Sequence, residues 1–374
     1  MAANLNIAIA AGGTAGHVNP ALALAEELRR RGHTVRFYGE SRRLEGTLVP
    51  EAGFDFTPVH VTGFDRERPW TLITALMHLA RAEGRIVRDF KRDPSLRPDV
   101  VIGFGAYIEL PLVRAAAKLG IPYALHEQNS VPGLANKQSA KGAALIAIAQ
   151  PSVSEVFEKH GAPASAIKFT GNPVRASVLA GDRAHGRAAL DVPDGATLLV
   201  AFGGSLGAHH LNKRLISLKR DLLARDDVYV LHSTGADDYD DTVRALALTP
   251  EEAARYRVRP YIDDMGDVLA AADLVLSRAG ASSIAEIAAL AVPAVLVPYP
   301  HATADHQTTN ARYLVDAGAA LLCPDAQIDS QDFADTLLGL LADVARRDRM
   351  RAAAQGLGQD RAAQNLADAL EALA

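Results

Sequence analysis

One cysteine, one tryptophan, four methionines and no surplus of positive charge mark what this 374-residue chain goes without. The lone Cys323 excludes an internal disulfide and fits a reducing compartment. A net charge of −5 supplies no global field toward nucleic acid or anionic lipid, so any such attraction needs a local patch, and no nucleic-acid partner is expected. No uninterrupted apolar run reaches the roughly 18 residues of a membrane span. The opening "MAANLNIAIAAGG" has neither a basic leader nor a long apolar core, so no secretory signal is expected and the chain is expected in the cytoplasm. There is no G-K-[ST], which removes a P-loop, and there is no low-complexity tract.

What is there is a rhythm. The short apolar runs "LNIAIA", "TVRFYG", "DVVIGFG", "YALHE" and "ALIAIAQ" alternate with helical spacing, and the pattern restarts with "TLLVAFGG", "VYVLHSTG", "RVRPYI", "DLVLSRAG" and "PAVLVPYP". Strands alternating with helices imply parallel sheets with right-handed crossovers. The opening device also recurs: Gly12-Gly13-Thr14-Ala15-Gly16 has its counterpart in Gly203-Gly204-Ser205-Leu206-Gly207. The length and this repeat predict an α/β protein of two Rossmann-like domains. Their expected bounds are 1–172 and 173–354, divided near Asn172-Pro173, with the amphipathic stretch at about 355–374 returning to the first domain.

Glycine lets a ligand approach the main chain, and a following helix N-terminus welcomes an anion. Pro20 is expected as the first helical residue after an Asn19 cap. A tight turn holding no ligand is the lesser reading of one such loop, and two in register weaken it further. Glu40, ending the second strand, leaves a dinucleotide site open. The run His126, Glu127, Gln128 and Asn129 at a strand end must either face a cleft or find partners in a well-bonded turn. Ser283-Ile-Ala-Glu286 reads as a capping box, with a grip on ribose hydroxyls as the rival reading of Glu286. Gln307 and Asn310 share a helix face. His301 and His306 lack further ligands at zinc spacing, and Asp237 to Asp241 reads as a solvated acidic turn, so no metal and no cofactor are expected. "SRRLEG" and "KRDPSLRP" read as solvated charge. In residues 64–92, Phe64, Trp70, Leu72, Ile73, Leu76, Met77 and Leu79 accompany Arg66, Arg68, Arg81, Arg85, Arg88, Lys91 and Arg92. That mixture suits a membrane interface, but on the residues alone a core helix with one solvated face is the favoured reading.

In order along the chain, "GGTAGHVNPALALA", "GFGAY", "LHEQNSVPGLANK", "GNPVR", "GGSLGA", "YIDDM", "SRAGASSIAEI" and "HQTTNA" resemble the MurG family, inverting glycosyltransferases of peptidoglycan synthesis. The resemblance implies a GT-B fold, two Rossmann-like domains whose parallel sheets face an interdomain cleft. It implies transfer of N-acetylglucosamine from UDP-N-acetylglucosamine to the C4 hydroxyl of lipid I. On the donor side it implies Thr14, Ala15, Gly16, Asn129, Arg175, Gly204, Ser205, Ile262, Ala281, Ser282, Ser283, Ile284, Ala285, Glu286 and Gln307. On the acceptor side it implies Tyr107, His126 and Asn310. His17 is the first candidate for the base and Glu127 the second. Residues 64–92 would lie on the anionic cytoplasmic face of the cell membrane, making the protein peripheral. The sequence departs from the family at Ala15 and Ala106, where glycine is usual, and at Leu206, where glutamine is usual. The rivals are another GT-B enzyme (a glycolipid synthase or an epimerase), a nicotinamide-dependent dehydrogenase using the first turn and Glu40, and a nucleotide-sugar sensor without turnover.

Overall fold

A computed structural model describes residues 4–62, 70–204 and 207–374. The chain divides into two compact units, 1–175 with 360–374, and 176–359. Each is a parallel sheet with helices on both faces.

The first unit holds β1 (Asn6–Ala10), β2 (Thr34–Gly39), β3 (Asp55–Pro58), β4 (Val100–Gly103), β5 (Tyr123–Glu127), β6 (Leu145–Ile148) and β7 (Ile167–Phe169). Their order in the sheet is β3-β2-β1-β4-β5-β6-β7. The second unit holds β8 (Thr197–Phe202), β9 (Val228–Ser233), β10 (Tyr256–Arg259), β11 (Leu274–Ser277), β12 (Ala294–Leu296) and β13 (Ala320–Leu322), in the order β10-β9-β8-β11-β12-β13. All ten apolar runs of the sequence are strands. The sheet order reverses beside β1 and beside β8, so the two glycine turns stand at topological switch points, where ligands of such sheets gather.

Burial on both faces explains the continuous apolar strands. In the first unit Ile7, Ile9, Phe37 and Ile102 face one core, and Ala8, Ala10, Val101 and Ile146 face the other. The C-terminal helix Ala362–Glu371 adds Leu366, Ala367 and Leu370 to the core of Ile7 and Ile9. Arg31 clamps it from helix Ala15–Arg30: its guanidinium donates to Glu27, to Asp368 at 2.6 Å and to Glu371 at 3.1 Å, and His33 adds a bond to Glu371.

Two local expectations give way. The first helix begins at Ala15 with Thr14 at its cap, so Pro20 lies inside it and not at its start, and Asn19 is not the cap. A proline at that depth denies the Gly16 carbonyl its intrahelical donor. Helix Ala281–Ala289 is entered through Gly280, with no side-chain cap, so Ser283 and Glu286 sit within the helix and form no capping box.

Helix Thr71–Arg92 divides along its length. Ile86 and Phe90 are buried, whereas Trp70 just before it and Leu72, Ile73, Leu76 and Met77 are exposed. The basic residues follow in its second half. A core helix with a solvated face describes only that second half. Phe64, Arg66 and Arg68 lie outside the described residues.

Candidate functional site

The first glycine turn is filled from within its own unit. Glu45 has no exposure; its carboxylate accepts the Gly13 N–H at 3.0 Å and the Glu40 N–H at 3.1 Å. A Cβ on Gly12 would collide with that carboxylate. The "SRRLEG" segment is therefore not simply solvated charge: its glutamate holds the turn. A buried carboxylate against these N–H groups opposes a dinucleotide pyrophosphate there. Glu40 itself bonds His60 at 3.0 Å. These contacts tell against the dehydrogenase rival.

His17 stands in the first turn of the helix that follows. Its Nδ1 lies 3.0 Å from Thr14 Oγ1. In the tautomer in which Nδ1–H donates to that hydroxyl, the Nε2 lone pair is the basic one. The ring rests on the "GFGAY" turn after β4, where a Cβ on Gly105 would come within 3.2 Å of Cδ2 and 3.3 Å of Nε2. Gly105 and Ala106 both take left-handed φ, +86° and +59°. Glycine adopts that conformation freely and alanine only at a cost, which gives the departure at Ala106 its physical meaning. Ala15, by contrast, occupies an ordinary helical position, where a methyl group is well tolerated. Tyr107 is half exposed, and its hydroxyl accepts from Arg43 at 3.2 Å.

The "HEQN" run is, for its first three side chains, a well-bonded turn. His126 is fully buried: Nε2 donates to the Gly171 carbonyl at 3.0 Å, and Nδ1 accepts from Gln128 at 3.2 Å. Burial holds its imidazole down, to about 4, so the ring is neutral. With both nitrogens spent inside the fold, His126 does not present itself to an acceptor, and that assignment is corrected. Glu127 is equally buried. Its Oε1 accepts from the Asn129 N–H (3.0 Å) and Nδ2 (3.3 Å), and its Oε2 from the Gly133 N–H (2.9 Å) and Asn136 Nδ2 (2.9 Å). Burial pushes its carboxyl above the usual range while these donors pull it back. Asn129 is partly exposed at the rim of this loop.

In the second unit Ser205 and Leu206 lie outside the described residues. Just after them Gly207 has φ +74°, and a Cβ there would strike the Thr234 carbonyl. Helix His209–Ser217 follows. From within it Asn212 donates to the Thr234 carbonyl at 2.9 Å and to Asp238 at 2.8 Å, and its Oδ1 accepts from His232 at 2.9 Å. His232, held down to about 4 by burial, accepts in turn from the Tyr256 hydroxyl. Asp238 thus braces this helix rather than standing in solvent.

Across the strand ends, the Gln307 carbonyl accepts the N–H groups of Ala279 (3.1 Å) and Tyr299 (2.9 Å), tying the loops after β11 and β12. Asn310 is buried one turn on and donates to the Ala279 carbonyl at 3.3 Å, so the two do not share one exposed polar face. Glu286 is buried, and Ala281, Ser282, Ser283 and Ala285 are partly exposed around the start of the same helix. Ile262 buries its side chain shortly after β10. Arg175 closes the first unit, and its buried Nε has no hydrogen-bond partner. Among the described residues no three His, Cys, Asp or Glu side chains gather as a metal site, and no helix is long and apolar enough to cross a membrane.

Sequence reasoning missed Glu45 and Glu109, the second a buried acid beneath the "GFGAY" turn. For Glu109 the available signal was a glutamate interrupting an apolar stretch near a glycine that ends a strand; the charged segment around Glu45 offered none.

Two family models match the chain: the glycosyltransferase family 28 N-terminal domain over residues 7–148 and its C-terminal domain over 197–368. A protein of Halothermothrix orenii is 35% identical over 98% of each chain. One of Nitratidesulfovibrio vulgaris is 40% identical over 97% of this chain and 96% of its own. Both are named UDP-N-acetylglucosamine–N-acetylmuramyl-(pentapeptide) pyrophosphoryl-undecaprenol N-acetylglucosamine transferase. Among solved structures, Acinetobacter baumannii MurG aligns over 99% of this chain and 100% of its own, with a TM-score of 0.74 and 29% identity. A UDP-N-acetylglucosamine 2-epimerase aligns with a TM-score of 0.64 at 15% identity, over 97% of this chain and 94% of its own; that likeness is one of fold alone.

Proposed function

The chain belongs to the MurG family of glycosyltransferase family 28, and from that membership we propose that it moves N-acetylglucosamine from UDP-N-acetylglucosamine to the C4 hydroxyl of lipid I, making lipid II. The observation that carries the reading is full-length likeness to relatives sharing one name, which favours a transferase over an epimerase or a sensor.

The second unit reads the donor. Glu286 takes the ribose hydroxyls, the Ile262 backbone takes the uracil, and Ala281, Ser282, Ser283, Ile284 and Ala285 line the nucleotide. Gly204, Ser205 and the N–H groups opening helix His209–Ser217 meet the diphosphate, with Arg175 and Gln307 beside it. As the glycosidic bond breaks, charge grows on that diphosphate, and donors fixed in advance favour the transition state over the bound substrate. The first unit supplies the acceptor side. Tyr107 contacts the acceptor, and Thr14, Ala15, Gly16 and Asn129 border the transferred sugar. His17 Nε2 takes the hydroxyl proton as the oxygen attacks the anomeric carbon from the face opposite UDP, which inverts the configuration. Glu127 supports the loop of Asn129. An assay of UDP release tests this: release should require a lipid I analogue and persist in a chelator. Release without acceptor, or none with it, overturns the reading.

The exposed apolar end of helix Thr71–Arg92, followed by its basic half, is a surface for the anionic cytoplasmic membrane. Trp70 is 68% exposed and Ile73 65%. Replacing Ile73 and Leu76 with Glu should lower partition onto anionic vesicles by at least about tenfold, since one buried side chain of this size contributes about 1.5–3 kcal/mol. Sedimentation with vesicles measures it, and unchanged binding removes this helix from the role.

A further inference from the structure

One buried acid close to the proposed base has no part in that mechanism. Glu109 has no solvent exposure and stands immediately before helix Leu110–Leu119. Its Oε2 accepts the Gly105 N–H at 2.6 Å. Its Oε1 is buried and has no hydrogen-bond partner. The carboxyl fills the place of a side chain on Gly103, where a Cβ would lie 2.9 Å from the Glu109 Cδ.

An anion in such a place is unfavourable: it has one N–H donor, no cation and no water-facing edge. A neutral acid suits it, with one oxygen accepting from Gly105 and the other carrying the proton. Burial pushes this carboxyl up, to about 8; the Gly105 N–H pulls it down and the charge of Glu127 adds to the rise. The titratable groups around it are Glu127 and Tyr123 of β5 and, across Gly105, His17. Arg43 reaches the outer side of the same turn through Tyr107.

The Gly105–Ala106 turn needs something to hold it, because Ala106 is left-handed without glycine's freedom. It is also the surface on which the imidazole of His17 lies. We propose that Glu109 is a positioning residue: through the Gly105 N–H it fixes the left-handed turn that sets the place of the His17 ring. The inference rests on the reading of His17 as the base. Ionising Glu109 puts a charge beneath the turn that the fold does not compensate, so the turn, and with it the base, shifts as pH rises. The acid is protonated in the folded chain up to pH about 8 but ionised in the unfolded chain above the usual carboxylate range. Its contribution to stability is therefore complete below the usual carboxylate range, falls as pH rises through the interval above it, and is gone by about pH 8.

The test is a pH profile of kcat, with UDP-N-acetylglucosamine and a lipid I analogue, for the full chain and for Glu109→Gln, Glu109→Ala and His17→Ala. Glutamine keeps the shape and the acceptor and cannot ionise. The parent should lose kcat above pH about 8. Glu109→Gln should retain neutral-pH kcat within about threefold and lack that alkaline loss, whereas Glu109→Ala should lose about tenfold or more in kcat with little change in donor KM. An alkaline loss that survives in Glu109→Gln overturns the proposal, as does a parental kcat in Glu109→Ala. Should the alanine variant not fold, the glutamine profile decides alone. An active His17→Ala would instead remove the base assignment; an inactive one beside an unaltered Glu109→Gln profile removes only the positioning role.

Discussion

His17→Ala should lower kcat by about a hundredfold or more while leaving the affinity for UDP-N-acetylglucosamine nearly unchanged. The size follows from what the imidazole supplies. A sugar hydroxyl is a poor nucleophile until its proton has somewhere to go, and a positioned base contributes roughly 10²–10⁴-fold. The geometry singles out this histidine. Thr14 Oγ1 lies 3.0 Å from its Nδ1 and accepts from it in the tautomer that leaves Nε2 basic, and the ring lies against the Gly105 backbone. His126, the other histidine of these loops, is buried, neutral and bonded through both nitrogens. The residues proposed to read the nucleotide belong to the second unit, 176–359, apart from Arg175, so truncation at position 17 leaves them intact. Calorimetric titration of the donor and steady-state UDP release separate the two quantities. Parental turnover would take His17 out of the chemistry; a matching loss of donor affinity would make it a binding residue.

The sequence was legible where burial is uniform and opaque where a contact is long in range or short in extent. Ten strands could be read because their apolar runs are continuous. The three that escaped, β3, β7 and β13, have three or four residues each and form sheet edges, where one-sided pairing and partial exposure erase the apolar signal. Both glycine turns were visible, but the filling of the first was not, since Glu45 comes from 32 residues away and its segment looks like surface charge. The spacing Ser283-x-x-Glu286 matched a capping box because any helix carries such pairs; only the start at Ala281 shows that this one lies a turn too far in. The sequence shows that His126 and Glu127 must face a ligand or be bonded, and nothing in a string of letters chooses between those outcomes.

For Glu127 the structure makes that choice, and the consequence is large. Glu127→Ala should lower the stability of the 128–136 loop by about 3–5 kcal/mol. A carboxylate offers about four lone-pair sites, and all four are engaged, two by Asn129, one by Gly133 and one by Asn136. Alanine leaves those donors without their acceptor: Asn136 is buried, where an unpaired group costs about 1–3 kcal/mol, and the Asn129 and Gly133 donors, nearer solvent, each lose a bond of about 0.5–1.5 kcal/mol. Hydrogen exchange reads the effect where it arises: the Asn129 and Gly133 amides should exchange on the order of a hundred- to a thousandfold faster, while strands of the second unit keep their protection. The same experiment arbitrates between the two candidate bases. A saturated carboxylate has no lone pair left for a substrate proton, so turnover in this variant should fall only as far as the loop loosens. If the amides stay protected and kcat nevertheless collapses, Glu127 touches the reacting hydroxyl, and the proton leaves through it rather than through His17.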